Sequence, residues 1–327
     1  PDFKEYKMAK KITIKKGQLG LVAKAGDYYR VLEAGEHRLG WFNTDDVLVV
    51  SQDGSEVPDA LADYLRRFQP DWVVRYCLAV DLTADEIGVL SNNGVLQEIV
   101  PPSTRRLYWQ QDAALTLQRI DTRDVRVPVD VMNAALQPRR NGALKGRDAM
   151  LVVQVPAWHV GVVKIDGEIQ ALLPPGLTAY WKINHLVEAE VVDTRLQVVE
   201  VSGQEILTKD KVNLRLNLAA NWRYSDVLQA CGQLTKPLEH LYRELQFALR
   251  EAVGTRTLDE LLEDKQIIDE VVSKQVQGRL SSFGMEIASL GVKDIVLPGD
   301  MKTILSRLVE AEKSAQANVI RRREETA

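Results

Sequence analysis

No stretch of about 18 consecutive apolar residues occurs anywhere in the 327-residue chain, so none of it reads as a membrane-spanning helix. Cysteine is nearly absent: Cys77 and Cys231 stand alone without C-x-x-C spacing, which excludes a disulfide framework or zinc knuckle and suits a reducing compartment. A basic excess is also missing. With 42 Lys and Arg against 46 Asp and Glu, the chain lacks the electrostatic footprint of a nucleic-acid binder. There is no G-x-S-x-G elbow, phosphate loop or dinucleotide fingerprint, and His37, His159, His185 and His240 are scattered without a second metal-type ligand at helical or hairpin spacing. No catalytic residue, cofactor site or metal site is therefore assigned. The acidic run Glu260-Leu-Leu-Glu-Asp264 reads as a solvated helix face.

What is present is a core-forming composition, 45% apolar, in a chain long enough for two or more domains. Its first 200 residues contain a threefold pattern. Gly20-Leu-Val-Ala-Lys-Ala-Gly26, Gly88-Val-Leu-Ser-Asn-Asn-Gly94 and Gly161-Val-Val-Lys-Ile-Asp-Gly167 share their glycine spacing, and apolar pairs follow at Val31-Leu32, Ile99-Val100 and Leu172-Leu173. A small residue comes next at Gly35, Ser103 and Gly176, then a tryptophan at Trp41, Trp109 and Trp181, the last after a one-residue deletion. Asp121-Thr-Arg123 corresponds to Asp193-Thr-Arg195. Each copy predicts strand, hairpin turn, strand, turn, strand, with Gly26, Gly94 and Gly167 supplying the positive φ of the first turn. The periods of 68 and 73 residues are long for a thin solenoid and suit small β modules. The expected divisions are module 1 at 1–56, a linker helix at 57–73, module 2 at 74–130, a loop at 131–149 and module 3 at 150–202.

From Lys211 to Arg223 apolar residues alternate with polar ones: Val212, Leu214, Leu216, Leu218, Ala220 and Trp222 face one way, predicting a half-buried strand. Ser225 and Asp226 offer an N-cap. Pro237 opens a helix carrying Leu238, Leu241, Tyr242, Leu245, Leu249 and Val253, ended by Gly254. Thr257 and Glu260 form a capping-box pair ahead of a second helix with Ile267, Ile268, Val271, Val272, Val276 and Leu280. A strand from Glu286 to Leu297 closes this block, 203–298. Beyond Pro298, a helix over 299–327 carries a seam of Met301, Ile304, Leu308, Ala311 and Ala315 that either pairs with neighbouring copies or folds back on its own domain.

The phrases Gln204-Glu-Ile-Leu-Thr-Lys-Asp-Lys-Val212, Leu249-Arg-Glu-Ala-Val-Gly254 and Gly291-Val-Lys-Asp-Ile-Val-Leu-Pro298 resemble the stomatin, prohibitin, flotillin and HflK/C superfamily, the SPFH or Band 7 group, most closely its bacterial slipin branch. The likeness runs from about Val152 into the C-terminal helix. The expected fold class is thus α+β: tandem β modules, an SPFH α/β domain whose first half is module 3, and a helix that opens a coiled coil.

The resemblance implies a non-enzymatic, membrane-associated scaffold that forms large homo-oligomers and works beside a membrane protease, with no cofactor, nucleic acid or small-molecule substrate. It implies a place on the cytoplasmic side of a membrane. Slipins commonly begin with a membrane-inserted segment; here Pro1 stands first, which reads as processing or a fragment, so attachment is expected to be either peripheral or through an anchor not present in this sequence. Lys4, Lys7, Lys10, Lys11, Lys15 and Lys16 surround Phe3, Tyr6, Met8, Ile12 and Ile14. Lys10, Lys11, Lys15 and Lys16 read equally as contacts to an anionic leaflet, at about 1 kcal/mol each, or as guards of a solvated edge strand. Two alternatives stay open: a soluble cage resembling the major vault protein, and hydrolysis by a site without a recognised motif.

Overall fold

The computed structural model describes residues 11–40, 45–111, 114–139, 142–264 and 266–325. The fold is α+β. The chain forms two compact units. One comprises the chain to Val153 with Ile165–Gly167 and Leu177–Val187; the other comprises Gln154–Lys164, Glu168–Gly176 and everything from Glu188.

In the first unit, β1 (Lys11–Ile14), β2 (Gln18–Lys24), β3 (Asp27–Leu32), β4 (Gly35–Arg38) and β5 (Asp46–Ser51) form a β1–β4 pair and a three-stranded sheet ordered β3-β2-β5. After helices α1 (Asp59–Phe68) and α2 (Pro70–Tyr76), the same arrangement returns. Strands β6 (Cys77–Asp81), β7 (Glu86–Asn92), β8 (Val95–Val100), β9 (Arg105–Trp109) and β10 (Leu115–Asp121) make a β6–β9 pair and a sheet ordered β8-β7-β10.

Following α3 (Val129–Leu136), a third set comprises β11 (Met150–Val155), β12 (His159–Ile165), β13 (Glu168–Leu173), β14 (Gly176–Trp181) and β15 (Val187–Asp193). It pairs β11 with β14 and orders β13-β12-β15. The β11–β14 pair falls largely in the first unit and the three-stranded sheet largely in the second.

Two joints in the first unit follow one plan. Ser55 and Val57 bond across to Trp109 and Leu107 (2.9 and 2.8 Å), and Val125 and Val127 bond to Trp181 and Ala179 (2.8 and 2.9 Å). Each short bridge ends in Val-Pro. Pro58 and Pro128, with φ −54° and −56°, then start α1 and α3 where a missing N–H costs nothing. Under the first joint lie Leu19, Leu21, Leu65, Leu107 and Trp109; under the second lie Ile87, Ile99, Met132, Ala179 and Trp181.

The second unit is built on β17 (Asn213–Tyr224), which pairs on one side with β16 (Gln197–Leu207) and on the other with β18 (Met285–Val296). Leu214, Leu216, Leu218, Ala220 and Trp222 are buried as the alternation requires. Between β17 and β18 come α4 (Val227–Gln233), α5 (Pro237–Gly254), α6 (Leu258–Glu263) and α7 (Gln266–Leu280). Their apolar stripes, Leu241, Leu245, Leu249 and Val253 on α5 and Ile268, Val272, Val276 and Leu280 on α7, share one core with β17. Burial of each such side chain contributes about 1.5–3 kcal/mol. Helix α8 (Gly299–Glu325) follows.

Several sequence expectations need correction. The first linker holds two helices, because Pro70 forces Gln69 out of helical backbone (φ −133°, ψ 55°) and restarts the chain as α2. The expected loop at 131–149 begins as α3, held by burial of Val131, Met132 and Ala135, and turns irregular from Gln137. The Thr257–Glu260 capping box is real but heads the six-residue α6; Asp264 breaks the helix there and accepts from the Gln266 N–H at 2.9 Å. Gly254 is the last residue of α5, not a left-handed cap after it.

Candidate functional site

The three first-turn glycines adopt φ of 91° (Gly26), 77° (Gly94) and 87° (Gly167), each preceded by a non-glycine at about 50°: Ala25, Asn93 and Asp166. Two successive residues at positive φ make a two-residue type I′ hairpin, whose twist matches the strands it joins. No neighbour approaches where a Cβ would stand, so the demand there is conformational. Gly20, Gly88 and Gly161 differ: they lie inside β2, β7 and β12, not in turns. A Cβ would meet Ile14, Leu82 and Val155, six residues earlier, at 2.9, 3.3 and 2.9 Å. It would also meet Leu32, Val100 and Leu173, twelve residues later, at 3.3, 3.3 and 3.1 Å. A glycine is needed because each β module folds its flanking strands over that spot.

Of the N-terminal lysines, Lys10 lies outside the described residues, as does Trp41. Lys11 is exposed on β1 and pairs with Glu36 of β4 at 2.7 Å. Lys15 and Lys16 are exposed in the turn between β1 and β2. Lys16 borders an open polar cleft of about 520 Å³ with Gln18, Glu33, Gln52, Arg75 and Gln110. There Arg75 and the Tyr76 hydroxyl both donate to Glu33 at 2.8 and 3.0 Å. Burial, reinforced by that carboxylate, raises the Tyr76 pKa.

Several other titratable groups are engaged in structure. Glu98, nearly buried, receives Arg106 at 2.9 Å, Lys145 at 3.1 Å and the Tyr108 hydroxyl at 3.3 Å. Burial pushes the Cys77 thiol up to about 12 and raises Cys231 as well, so neither is an activated nucleophile. The ring nitrogens of His37 and His159 contact backbone carbonyls at 2.7 and 2.8 Å, and His185 contacts Asp166 at 2.7 Å. Among the described residues no three His, Cys, Asp or Glu side chains are grouped to hold a metal, and no helix is long and apolar enough to cross a membrane.

On α8 the expected seam divides. Met301, joined by Leu305, packs against the core of the second unit. Ile304 and Leu308 are each 56% exposed, and Ala311 and Ala315 are exposed as well. Val309, Val319 and Ile320 add further exposed apolar surface to a helix of 27 residues, about 40 Å long.

Sequence reasoning missed Trp158. In the turn between β11 and β12, it is 72% exposed and has φ +64°, a left-handed conformation that a bulky residue rarely adopts. Its carbonyl accepts from both the backbone N–H and the hydroxyl of Thr194, at 2.9 and 2.7 Å. The only advance signal was the Asp-Thr-Arg phrase shared by 121–123 and 193–195.

Residues 153–326 match the family model described as SPFH domain / Band 7 family. Over 165 residues the chain is 29% identical to a stomatin homologue of Pyrococcus horikoshii, a stretch covering 50% of this chain and 61% of that protein. It is 28% identical over 183 residues to stomatin-3 of Caenorhabditis elegans, covering 53% and 68%. With mechanosensory protein 2 of the same worm it shares 29% over 129 residues, covering 39% and 27%. The chain thus spans about three-fifths of the length of the Pyrococcus relative. The matched segment contains the β17 sheet, the helices that cover it and all of α8; the chain belongs to the SPFH domain / Band 7 family.

Proposed function

We propose that this protein is a non-enzymatic scaffold of the stomatin type, laid against the cytoplasmic side of a membrane, where its copies assemble into a large ring or cage that organises lipid and a partner membrane protein such as a protease. Membrane-associated scaffolds are the family's common theme, and the observation that carries the reading to this chain is α8. Its Met301 and Leu305 fasten it to the second unit, while Ile304, Leu308, Val309, Val319 and Ile320 stay exposed. A helix this long with so little of its apolar surface covered gains stability from neighbours. The absence of a metal-holding cluster among the described residues adds no weight to a structural role.

Light scattering of the purified chain, with flotation on liposomes, tests the reading. Large assemblies that float support it; a monomer that stays at the bottom of the gradient sinks it. The repeated strand order of the three modules favours a second reading, a soluble shell resembling the major vault protein. Large assemblies that do not float would select that one.

A further inference from the structure

We propose that the loop Pro156-Ala157-Trp158 is an interfacial anchor that seats the Trp158 ring among the headgroups of a lipid bilayer by a charge-neutral contact, separate from the N-terminal lysines; this rests on the membrane-associated reading above. The equivalent loop of module 1, three residues before the first glycine, carries Gly17 at φ +80°. Glycine takes that conformation freely, whereas tryptophan there is strained, and such strain persists only where the surroundings over-determine it. Here they do: Thr194 bonds twice to the Trp158 carbonyl. The ring so fixed is the most exposed tryptophan among the described residues, and Leu196 and Val198, just beyond Thr194, are 55% and 64% exposed.

The backbone of the loop is held from within the protein. His159 N–H donates to the Pro156 carbonyl at 3.2 Å, and the His159 Nδ1 lies 2.8 Å from the Ala157 carbonyl. With Trp158 O held by Thr194, three consecutive carbonyls at an exposed tip have partners within the protein, and Pro156 has no N–H to satisfy. These bonds fix the tip, and with it the ring, as the Thr122 pair fixes the Asp85 carbonyl in module 2. Beside the tip, Arg195 is clasped by Asp193 at 2.6 Å, with the His159 ring 3.8 Å from the same carboxylate, so the collar offers no net charge for anionic lipid to attract. A tryptophan with an apolar body and one N–H donor suits that interface.

The test uses the full chain with vesicles of dioleoylphosphatidylcholine, which carry no net charge, at low salt and at 0.5 M salt. Trp158→Asn removes the ring while keeping a residue that tolerates positive φ. Expected are flotation insensitive to salt, a blue shift and bromolipid quenching present in the wild type and missing from the variant, and binding weakened about tenfold or more by the substitution. The other five tryptophans, among them buried Trp109, Trp181 and Trp222 and half-buried Trp72, are present in both proteins, so the difference between wild type and variant isolates Trp158. Wild-type and variant proteins that float equally well would overturn the anchor and leave the membrane reading intact. Flotation only on anionic vesicles, abolished by salt, would likewise overturn it. If the wild type floats on neither kind of vesicle, the membrane reading falls and the anchor with it. A circular-dichroism melt not lowered by Trp158→Asn separates lost contact from lost fold, and Trp158→Phe, which keeps an apolar ring, must retain most of the binding.

Discussion

Thr194 donates two hydrogen bonds to the carbonyl of Trp158, and Thr122 donates the same pair to the carbonyl of Asp85, at 2.8 and 3.0 Å. In both copies the threonine follows an aspartate that accepts the N–H of the next arginine at 2.9 Å, Asp193 for Arg195 and Asp121 for Arg123. The Asp-Thr-Arg phrase is therefore a clasp that ties the last strand of a module to the loop before its second strand. Thr122→Val and Thr194→Val each remove one hydroxyl bond and leave the backbone bond, so each should cost about 1 kcal/mol. Urea titration checks this; a change at one threonine only would mean that the two clasps are not equivalent.

The interior glycines make a sharper test of the repeat. Gly20→Ala, Gly88→Ala and Gly161→Ala each place a methyl within 3.4 Å of the flanking side chains, an overpacking expected to cost about 1–3 kcal/mol. At Gly88 the nearest atom is Leu117 Cδ1 at 2.8 Å, so adding Leu117→Val should recover part of the loss. Alanine at Gly26, Gly94 or Gly167 has free space and pays only the left-handed backbone penalty, about 1–2 kcal/mol. Rescue by Leu117→Val at Gly94 as well as Gly88 would disprove the distinction, and thermal melts of the double variants decide it.

Acid should loosen the clasps. Hydrogen bonds from Arg123 hold the Asp121 carboxyl down to about 2, and Arg195 lowers Asp193 further. A carboxylate with a depressed folded pKa contributes stability that is fully present above its unfolded value of 3.8 and is lost as pH falls through the folded value. The clasp contribution of Asp121 should therefore fade between about pH 4 and pH 2. Both carboxylates reach solvent, Asp121 with 46% and Asp193 with 29% of its side chain exposed, so salt weakens the effect. Denaturation midpoints measured down that window should fall less steeply in Asp121→Asn and Asp193→Asn than in the wild type.

Those three cases show what could be read from residues alone. Asn93-Gly94 and Asp166-Gly167 announce type I′ turns because two adjacent residues must hold positive φ, a local demand met by local sequence. The alternation along β17 and the three-and-four spacing on α5 and α7 are likewise periodic, and their buried faces follow from the period. Gly88 was visible as a repeated glycine, but its reason lies in Leu82 and Val100, brought together only once the module closes. Trp158 was one of six tryptophans. Exposure is set by what fails to cover a side chain, and no spacing encodes that. The capping box was found, while the break at Asp264 that shortened its helix depends on a carboxylate choosing the Gln266 N–H.

The last prediction concerns α8, where the structure separates two outcomes that the sequence left joined. Met301 and Leu305 face the core of the second unit, so Met301→Asp or Leu305→Asp places a charge against apolar side chains and should cost about 2 kcal/mol or more at any protein concentration. Ile304 and Leu308 are exposed and have no such role within the chain. If copies pack through them, Ile304→Asp with Leu308→Asp removes the intermolecular contact alone: light scattering should report small particles, and the concentration dependence of the melting temperature should vanish while the chain remains folded. In a ring closed by head-to-tail contacts every interface includes one substituted helix, so no contact is spared. Assemblies of unchanged size from the Ile304→Asp, Leu308→Asp chain would place the self-association surface elsewhere, with Val319 and Ile320, exposed at 54% and 59%, the next pair to substitute.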